Sequence, residues 1–506
     1  MRYDNKLCND KMTFQDCELA ILRNAVDKSE TQQGQKVAMN DEVRKIIKIL
    51  EDYLKVKRVI CYGGTAINNI LPKNAQFYNK DLEVPDYDFY SPNAMDDAIE
   101  LANIYADAGY TEVEAKAGVH HGTFKVYVNY LGVADITQLE EPIFTELYKE
   151  GLRFGGIRYA SPDFLRMGMY LELSRPNGDV SRWEKVHKRL NLLNTHYPLR
   201  SRTGCNAVEF QRRMNRDKRH PIVKNEKKTI EEIEEEIFTI VRDELISSKA
   251  VFFGGYACSL YSKYVKDHKH MVAKIPDFDV LIEDAEREAL LIKQQLMQAG
   301  YTQIELIEHA EIGEIVPKHI EIRMGKESIA FLYEPIACHN FNTIQLNAQQ
   351  EIRVATIDTI LSFYLAFLYA QKAYYYKDRL ICIAEFLFDV QEKNRLSQRG
   401  LLARFSLSCY GKQPTLEDIR AKKTEMFQLL ANKKNTSEYD LWFLNYKPTT
   451  AIKRKVPERG KLSTINSREI VKSSAAAAAA NKKTIVAKAQ PRKKTVKKRK
   501  SKLYLI

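Results

Sequence analysis

The chain has 506 residues, 44% of them hydrophobic and 29% charged, with a formal net charge of +13. That length exceeds what one hydrophobic core organises, which predicts two or three domains, and the composition is that of an ordinary soluble protein over most of its length. The basicity is concentrated: Ile452–Ile506 holds eighteen Lys or Arg against Glu458 and Glu469, so this tail carries +16 and the rest of the chain −3.

The amino terminus is charged where a signal peptide would need an apolar stretch, and residues 1–39 read as an extension. The longest uncharged apolar run, Thr359–Gln371, is bounded by Asp358 and Lys372 and is too short to span a bilayer. Neither secretion nor membrane insertion is expected. The eight cysteines (Cys8, Cys17, Cys61, Cys205, Cys258, Cys338, Cys382, Cys409) form no Cys-x-x-Cys pair and read as reduced core thiols.

A first helix is expected from Asn40 to Leu54, with a capping residue and apolar positions at helical spacing. It runs into a short apolar strand, Val59–Tyr62, that stops at Gly63-Gly64, where backbone must come close to something. Thr65 and the residues after it open another helix. A helix N-terminus after a glycine turn presents unpaired N–H groups and a positive dipole end, which suits a triphosphate. Further on, Asp86 and Asp88 flank Tyr87, so an extended strand points both carboxylates to one face and the tyrosine to the other. Such a pair repels itself unless a cation sits between the two.

The same order returns later in the chain. Thr229–Ile246 is an amphipathic helix, acidic in its first turns, that leads into Val251–Phe253, Gly254-Gly255 and then Asp277-Phe278-Asp279. Gly63 lies 23 residues before Asp86, and Gly254 lies 23 before Asp277. Gly-Gly, identical spacing and Pro-Asp-aromatic-Asp twice in one chain identify an internal repeat. It continues past the acidic pair, where Ile157–Leu165 mirrors Ile352–Ile360, each entering a helix through a Ser161 or Thr356 cap. The chain is therefore α/β (mixed α+β), built from two tandem copies of one αβ module, each predicted as a mixed sheet flanked by helices.

Expected boundaries are 1–39 for the extension, 40–193 for the first module, 194–228 for a basic linker and 229–395 for the second module. A C-terminal extension of 396–451 and the disordered basic tail of 452–506 complete the chain. The tail, with its Ala run and Lys/Arg clusters, buries too little apolar surface to fold alone. It suits either an RNA tether or a nuclear-import signal.

The two copies differ in one carboxylate. Phe124–Val128 and Gly132–Ile136 alternate like adjacent strands, and Asp135 sits inside the second, where a bare carboxylate is costly. Its partner is expected to be the cation already proposed for Asp86 and Asp88. Aligning Val133–Ile136 on Ile329–Leu332 puts Phe331 in the place of Asp135, and Tyr256 stands where the first copy has Thr65. Three carboxylates can hold two metals and two are usually too few. The first copy reads as catalytic and the second as structural.

Gly-Gly-Thr, Asp-x-Asp and a third Asp on a neighbouring strand resemble the nucleotidyltransferase superfamily. More narrowly, Leu171–Leu190 looks like the poxvirus-type poly(A) polymerase catalytic subunit, and the duplicated module and basic tail make the chain similar, over residues 40–400, to the poly(A) polymerases of mimivirus-type giant viruses. The resemblance implies two nucleotidyltransferase-like domains, and AMP transfer from ATP to the 3′ end of RNA with release of pyrophosphate. It implies Mg²⁺ or Mn²⁺ on Asp86, Asp88 and Asp135, nucleotide phosphates on Gly63, Gly64, Thr65 and Lys185, and poly(A) as product. It further implies a homodimer and a place in the host cytoplasm, at the viral factory, or in the virion. CCA addition, synthesis of a nucleotide messenger, or a non-catalytic RNA-binding scaffold remain the alternatives.

Two other groupings stay open from sequence. Arg175, Arg182, Lys185 and Arg189 suit either phosphate contact or a solvated helix face. Tyr369, Tyr374, Tyr375 and Tyr376, interleaved with Lys372, Lys377 and Arg379, suit either base stacking or a helix buried between domains. Trp183 reads as an anchor for its helix, and His120-His121 and His268-Lys-His270 as loop histidines.

Overall fold

The computed structural model describes residues 7–9, 11–38, 40–79, 83–201, 205, 229–265, 276–313, 315–347, 350–434 and 436–448. The basic tail, most of the linker and His268-Lys-His270 lie outside the described residues. Among the described residues no helix is long and apolar enough to cross a membrane.

The first module follows the helix α1 (Phe14–Ala38). It comprises α2 (Asp41–Val56), β1 (Ile60–Tyr62), α3 (Gly63–Ile70), β2 (Tyr87–Ser91), α4 (Ala94–Asp107) and the strands β3 (Val113–Ala117), β4 (Thr123–Val128) and β5 (Leu131–Gln138). After them come α5 (Glu141–Glu150), β6 (Leu152–Phe154), β7 (Ile157–Tyr159), α6 (Pro162–Leu173) and α7 (Trp183–His196).

The second module repeats this order with α8 (Ile230–Ser247), β8 (Val251–Phe252), α9 (Gly255–Tyr261), β9 (Phe278–Leu281) and α10 (Ala285–Gln298). Its remaining elements are β10 (Ile304–His309), β11 (His319–Met324), β12 (Glu327–Tyr333), β13 (His339–Gln345), β14 (Glu351–Ala355), α11 (Ile357–Phe367) and α12 (Lys377–Lys393). The chain continues through β15 (Cys409–Tyr410), α13 (Leu416–Leu429), α14 (Ser437–Phe443) and β16 (Asn445–Tyr446).

The two sheets have the same topology. The first runs β16-β3-β4-β5-β2-β1-β7-β6 and the second β10-β11-β12-β9-β8-β14-β13-β15, so each is one seven-strand order with an extra strand added at opposite edges. The caps read from sequence are in place. Asn40 accepts from Glu42 and Val43 N–H, Thr229 and Glu232 form a capping box, and Ser161 and Thr356 each accept from the N–H three residues on. Tyr87 turns into the core and donates to Glu51 at 2.9 Å, leaving its two flanking carboxylates on the other face.

The modules meet through buried side chains from α6 and from the turn between α11 and α12. Tyr369 is 1% exposed, bonds Ser161 at 2.6 Å and stands edge-on to Phe164. Tyr375 stacks on Phe367 at 4.1 Å and bonds Tyr333, while Tyr374 bonds His319. Tyr369 thus serves the interface, Tyr374 and Tyr375 pack within the second module and Tyr376 is exposed; the segment is a turn rather than the helix its apolar composition suggests. Lys377 pairs with Glu146 and Glu150 of the first module. The segment after residue 395 packs back on both sheets: β15 pairs with β13, and β16 with β3.

The cysteines depart from the expectation of free thiols. Cys8–Cys17, Cys205–Cys382 and Cys338–Cys409 are disulfides, and Cys61 and Cys258 are buried and free. Two of the three bridges join residues 71 and 177 positions apart, so only tertiary proximity reveals them.

Tyr369→Ala removes a filled aromatic site from the interface between the modules and should cost about 3–5 kcal/mol. A denaturant titration reading the shift in midpoint checks it.

Candidate active site

The site forms where β1 ends. Gly63 has φ +73, a conformation that suits glycine, and a Cβ there would collide with the Asp88 carboxylate. A Cβ on Gly64 would stand 2.7 Å from the Tyr78 hydroxyl and 3.0 Å from the Arg189 guanidinium. No side chain caps α3, so its first N–H groups are directed at the space beside these glycines. The Thr65 hydroxyl, expected to face a phosphate, donates to the Asp86 carbonyl at 2.6 Å. It holds the backbone of the first carboxylate in place.

Register brings in the third. β2 and β5 are parallel neighbours with Asp88 opposite Asp135, and β5 and β4 are antiparallel with Asp135 opposite Lys125. Opposed residues share a face, so Asp88, Asp135 and Lys125 form one row across the sheet. Lys125 donates to Asp135. Burial pushes Asp88 up to about 7, with Asp86 and Asp135 adding repulsion and Lys125 and Arg182 partly offsetting it. Asp86 is raised as well, by burial first and then by Asp135. These are the properties of carboxylates held together for a cation. Among the described residues no three acidic, His or Cys side chains already converge on one point; Asp135 is drawn toward Lys125 instead.

Asp86 and Asp88 open on a cavity of about 450 Å³ that is also lined by Gly63, Gly64 and Thr65. Of the four basic residues singled out from sequence, Arg182, Lys185 and Arg189 line it and Arg175 does not; Arg175 acts on His339, whose protonation is disfavoured first by burial and then by this guanidinium. Lys185 is exposed and has no ion-pair partner among the described residues. Arg189 donates to Tyr78 at 2.6 Å and lies over the Phe77 ring. Trp183 donates to the Glu172 carbonyl at 3.1 Å and packs near Phe405, fixing the start of α7. His121 packs on Trp442, away from this cavity. Lys125, Tyr78 and Glu172 are the site residues that the sequence reading did not single out.

The second module shows the same frame with different groups on it. Asp279 pairs in register with Phe331, as Asp88 does with Asp135, and Glu321 stands opposite Phe331 where Lys125 would be. The Asp277 carbonyl accepts from the Tyr256 N–H at 2.9 Å, replacing the Thr65 hydroxyl. Arg379, third residue of α12 as Lys185 is third of α7, binds Asp277 at 3.1 Å with both side chains buried. A guanidinium from the protein thus takes the role of a bound cation there.

Two outcomes follow. Arg379→Met strips a buried carboxylate of its cation and should cost about 3–5 kcal/mol in a denaturant titration. In metal-free buffer, native Asp88 keeps its proton to about pH 7 whereas the unfolded group releases it near its ordinary value of 3.8. The unfolded state therefore binds fewer protons between these values, and stability falls as pH rises through the window. Asp88→Asn should raise the melting temperature more at pH 8 than at pH 5, as differential scanning calorimetry will show.

Comparison with known proteins places this geometry. Residues 48–179 match the family model described as the poly(A) polymerase catalytic subunit, a span that holds Gly63, Gly64, Thr65, Asp86, Asp88 and Asp135. A putative poly(A) polymerase catalytic subunit of African swine fever virus (strain Badajoz 1971 Vero-adapted) is 30% identical over 164 residues, 31% of this chain and 34% of that protein. A protein of the same description from Acanthamoeba polyphaga mimivirus is 31% identical over 163 residues, 31% of this chain and 27% of that protein. The matched region thus spans only about a quarter to a third of the length of these relatives. The crystal structure of the Megavirus polyadenylate synthase superposes with a TM-score of 0.67 at 17% identity, over 92% of this chain and 98% of that one, a likeness of fold. The first module therefore matches the poly(A) polymerase catalytic subunit family, in a chain whose whole fold resembles a viral polyadenylate synthase.

Proposed function

We propose that the chain is a template-independent polynucleotide adenylyltransferase, adding AMP from ATP to RNA 3′ ends at the first module. The observation that carries this reading is the row of Asp88, Asp135 and Lys125 beside Asp86 and the Gly63-Gly64 turn, present in one of two modules of identical topology. Asp86, Asp88 and Asp135 would hold the divalent cations; Mg²⁺ or Mn²⁺ bound there would neutralise the triphosphate and acidify the acceptor hydroxyl.

The protein's own groups do the rest. N–H groups at the start of α3 receive phosphate oxygens without reorganisation, since they are preformed and uncapped. Lys185, Arg182 and Arg189 face the same cavity and counter the negative charge of pyrophosphate as it leaves. Thr65 keeps Asp86 from moving away when its neighbours repel it. The second module has Phe331 in the place of Asp135 and fills its acidic pair with Arg379, which supports a structural role for it.

RNA as acceptor, ATP as donor, self-association as a homodimer, the choice of Mg²⁺ or Mn²⁺ and action in the host cytoplasm belong to the same proposal. The decisive experiment incubates the protein with an RNA primer, each of the four nucleoside triphosphates and Mg²⁺ or Mn²⁺, and sizes the products. Long A-tracts with ATP alone support the reading; a short CCA addition, a soluble nucleotide product or no incorporation would each replace it.

Asp86→Ala, Asp88→Ala and Asp135→Ala should each lower AMP incorporation by at least about 10³-fold with the melting temperature kept. Asp135→Ala combined with Phe331→Asp should stay inactive, because the second module also lacks the Lys125 partner and carries Arg379 in its acidic pair.

A further inference from the structure

The helix α6 carries a glycine in its interior. Gly168 lies seven residues after the Ser161 cap, in a position where only proline is less favourable. Its neighbours Met167 and Met169 are buried, whereas Gly168 is exposed and lines the cavity. A Cβ built on it meets nothing within 4 Å. Packing inside the protein therefore gives no reason for glycine here.

The second module shows the same position when no room is kept. Seven residues after the Thr356 cap stands Phe363, 2% exposed, whose ring stacks on Phe253 at 4.7 Å with the planes 29° apart. Phe253 precedes Gly254 as Tyr62 precedes Gly63. Phe367, at the position of Glu172, extends the same aromatic cluster. In the first module the ring stacked on Tyr62 is Tyr90 of β2, at 3.8 Å, so the helix position itself stays open to the cavity.

We propose that the nucleobase of the incoming nucleoside triphosphate lies flat against α6 at Gly168, the helix position that Phe363 fills in the second module. This rests on the nucleotidyl-transfer reading above. The cavity combines an apolar wall from α6 with the phosphate-facing groups Gly63, Gly64 and Lys185, and its 450 Å³ falls within the usual range for a small-molecule site. Glu172 lines it one helical turn after Gly168, on the same helix face. Its carboxylate is paired with Arg182 at 3.3 Å, which holds that guanidinium at the same cavity. Gly168 is a positioning residue through the space it leaves.

The test measures melting temperature and, by calorimetry in Mn²⁺, the binding of ATP and of inorganic tripolyphosphate, which has the phosphates but no base. Gly168→Ala and Gly168→Phe should both fold with melting temperatures at or above that of the unmodified chain. Gly168→Ala should weaken ATP on the order of tenfold and Gly168→Phe a hundredfold or more, with tripolyphosphate changed by less than about twofold. Unchanged ATP affinity in Gly168→Phe would overturn the placement of the base while leaving the transfer reading intact, and so would equal loss of ATP and tripolyphosphate. An unmodified chain that binds neither ligand would overturn both.

Discussion

Three carboxylates on adjacent positions of one sheet face, in a half-buried setting, repel one another, and the first module is arranged to bear that repulsion. The Gly63 turn gives Asp88 its space because no Cβ stands there. Thr65 fixes Asp86 through its carbonyl, leaving the carboxylate free to face the cavity. Lys125 offsets Asp135 from the next strand. The cost is concentrated where a cation would turn it into binding energy, which is how a site can be both unstable alone and selective for a metal–triphosphate complex.

The duplicated module supplies an internal control on which parts of this arrangement belong to the fold. The strand order, the Gly-Gly turn, the Asp-x-Asp pair and the helix caps persist in both copies, so they belong to the shared fold. What differs is the set of groups that would meet ligands. Phe331 and Glu321 stand for Asp135 and Lys125, Arg379 closes on Asp277 where Lys185 stays exposed, and Phe363 occupies the position of Gly168. In the second module each of these positions is buried within the protein itself.

Much of this was legible in the chain. The repeat followed from the common 23-residue spacing between Gly63 and Asp86 and between Gly254 and Asp277, and the Asp135–Phe331 correspondence from aligning two apolar strands; the observed registers agree with both. Asn40, Ser161, Thr229 and Thr356 marked helix starts because capping is a local interaction. What escaped was non-local. Lys125 faces Asp135 only through the register of a hairpin, Cys205 meets Cys382 across two elements, and the two-residue strands β15 and β16 are too short for any periodicity. Gly168 did leave a trace, a glycine inside a helical pattern, but its meaning needed the cavity and the ring in the duplicate. The tyrosines after α11 had the composition of a stacking surface; Tyr369 is instead taken up by the neighbouring module and Tyr374 and Tyr375 by their own, contacts far apart in sequence.

The pairing of β16 with β3 has a consequence for how the chain is made. Ala117 donates to the Leu444 carbonyl, Lys423 to the Gly118 carbonyl and Tyr446 to Asn103, so an edge of the first sheet is covered by residues synthesised after the entire second module. At ordinary elongation rates roughly 20 to 60 s separate the two strands on the ribosome. During that interval the β3 edge presents unpaired backbone to any other strand nearby, including the same edge of a neighbouring nascent chain. Synthesis in dense polysomes therefore exposes this protein to edge-to-edge misassembly that ends only when the last strand of its first sheet arrives.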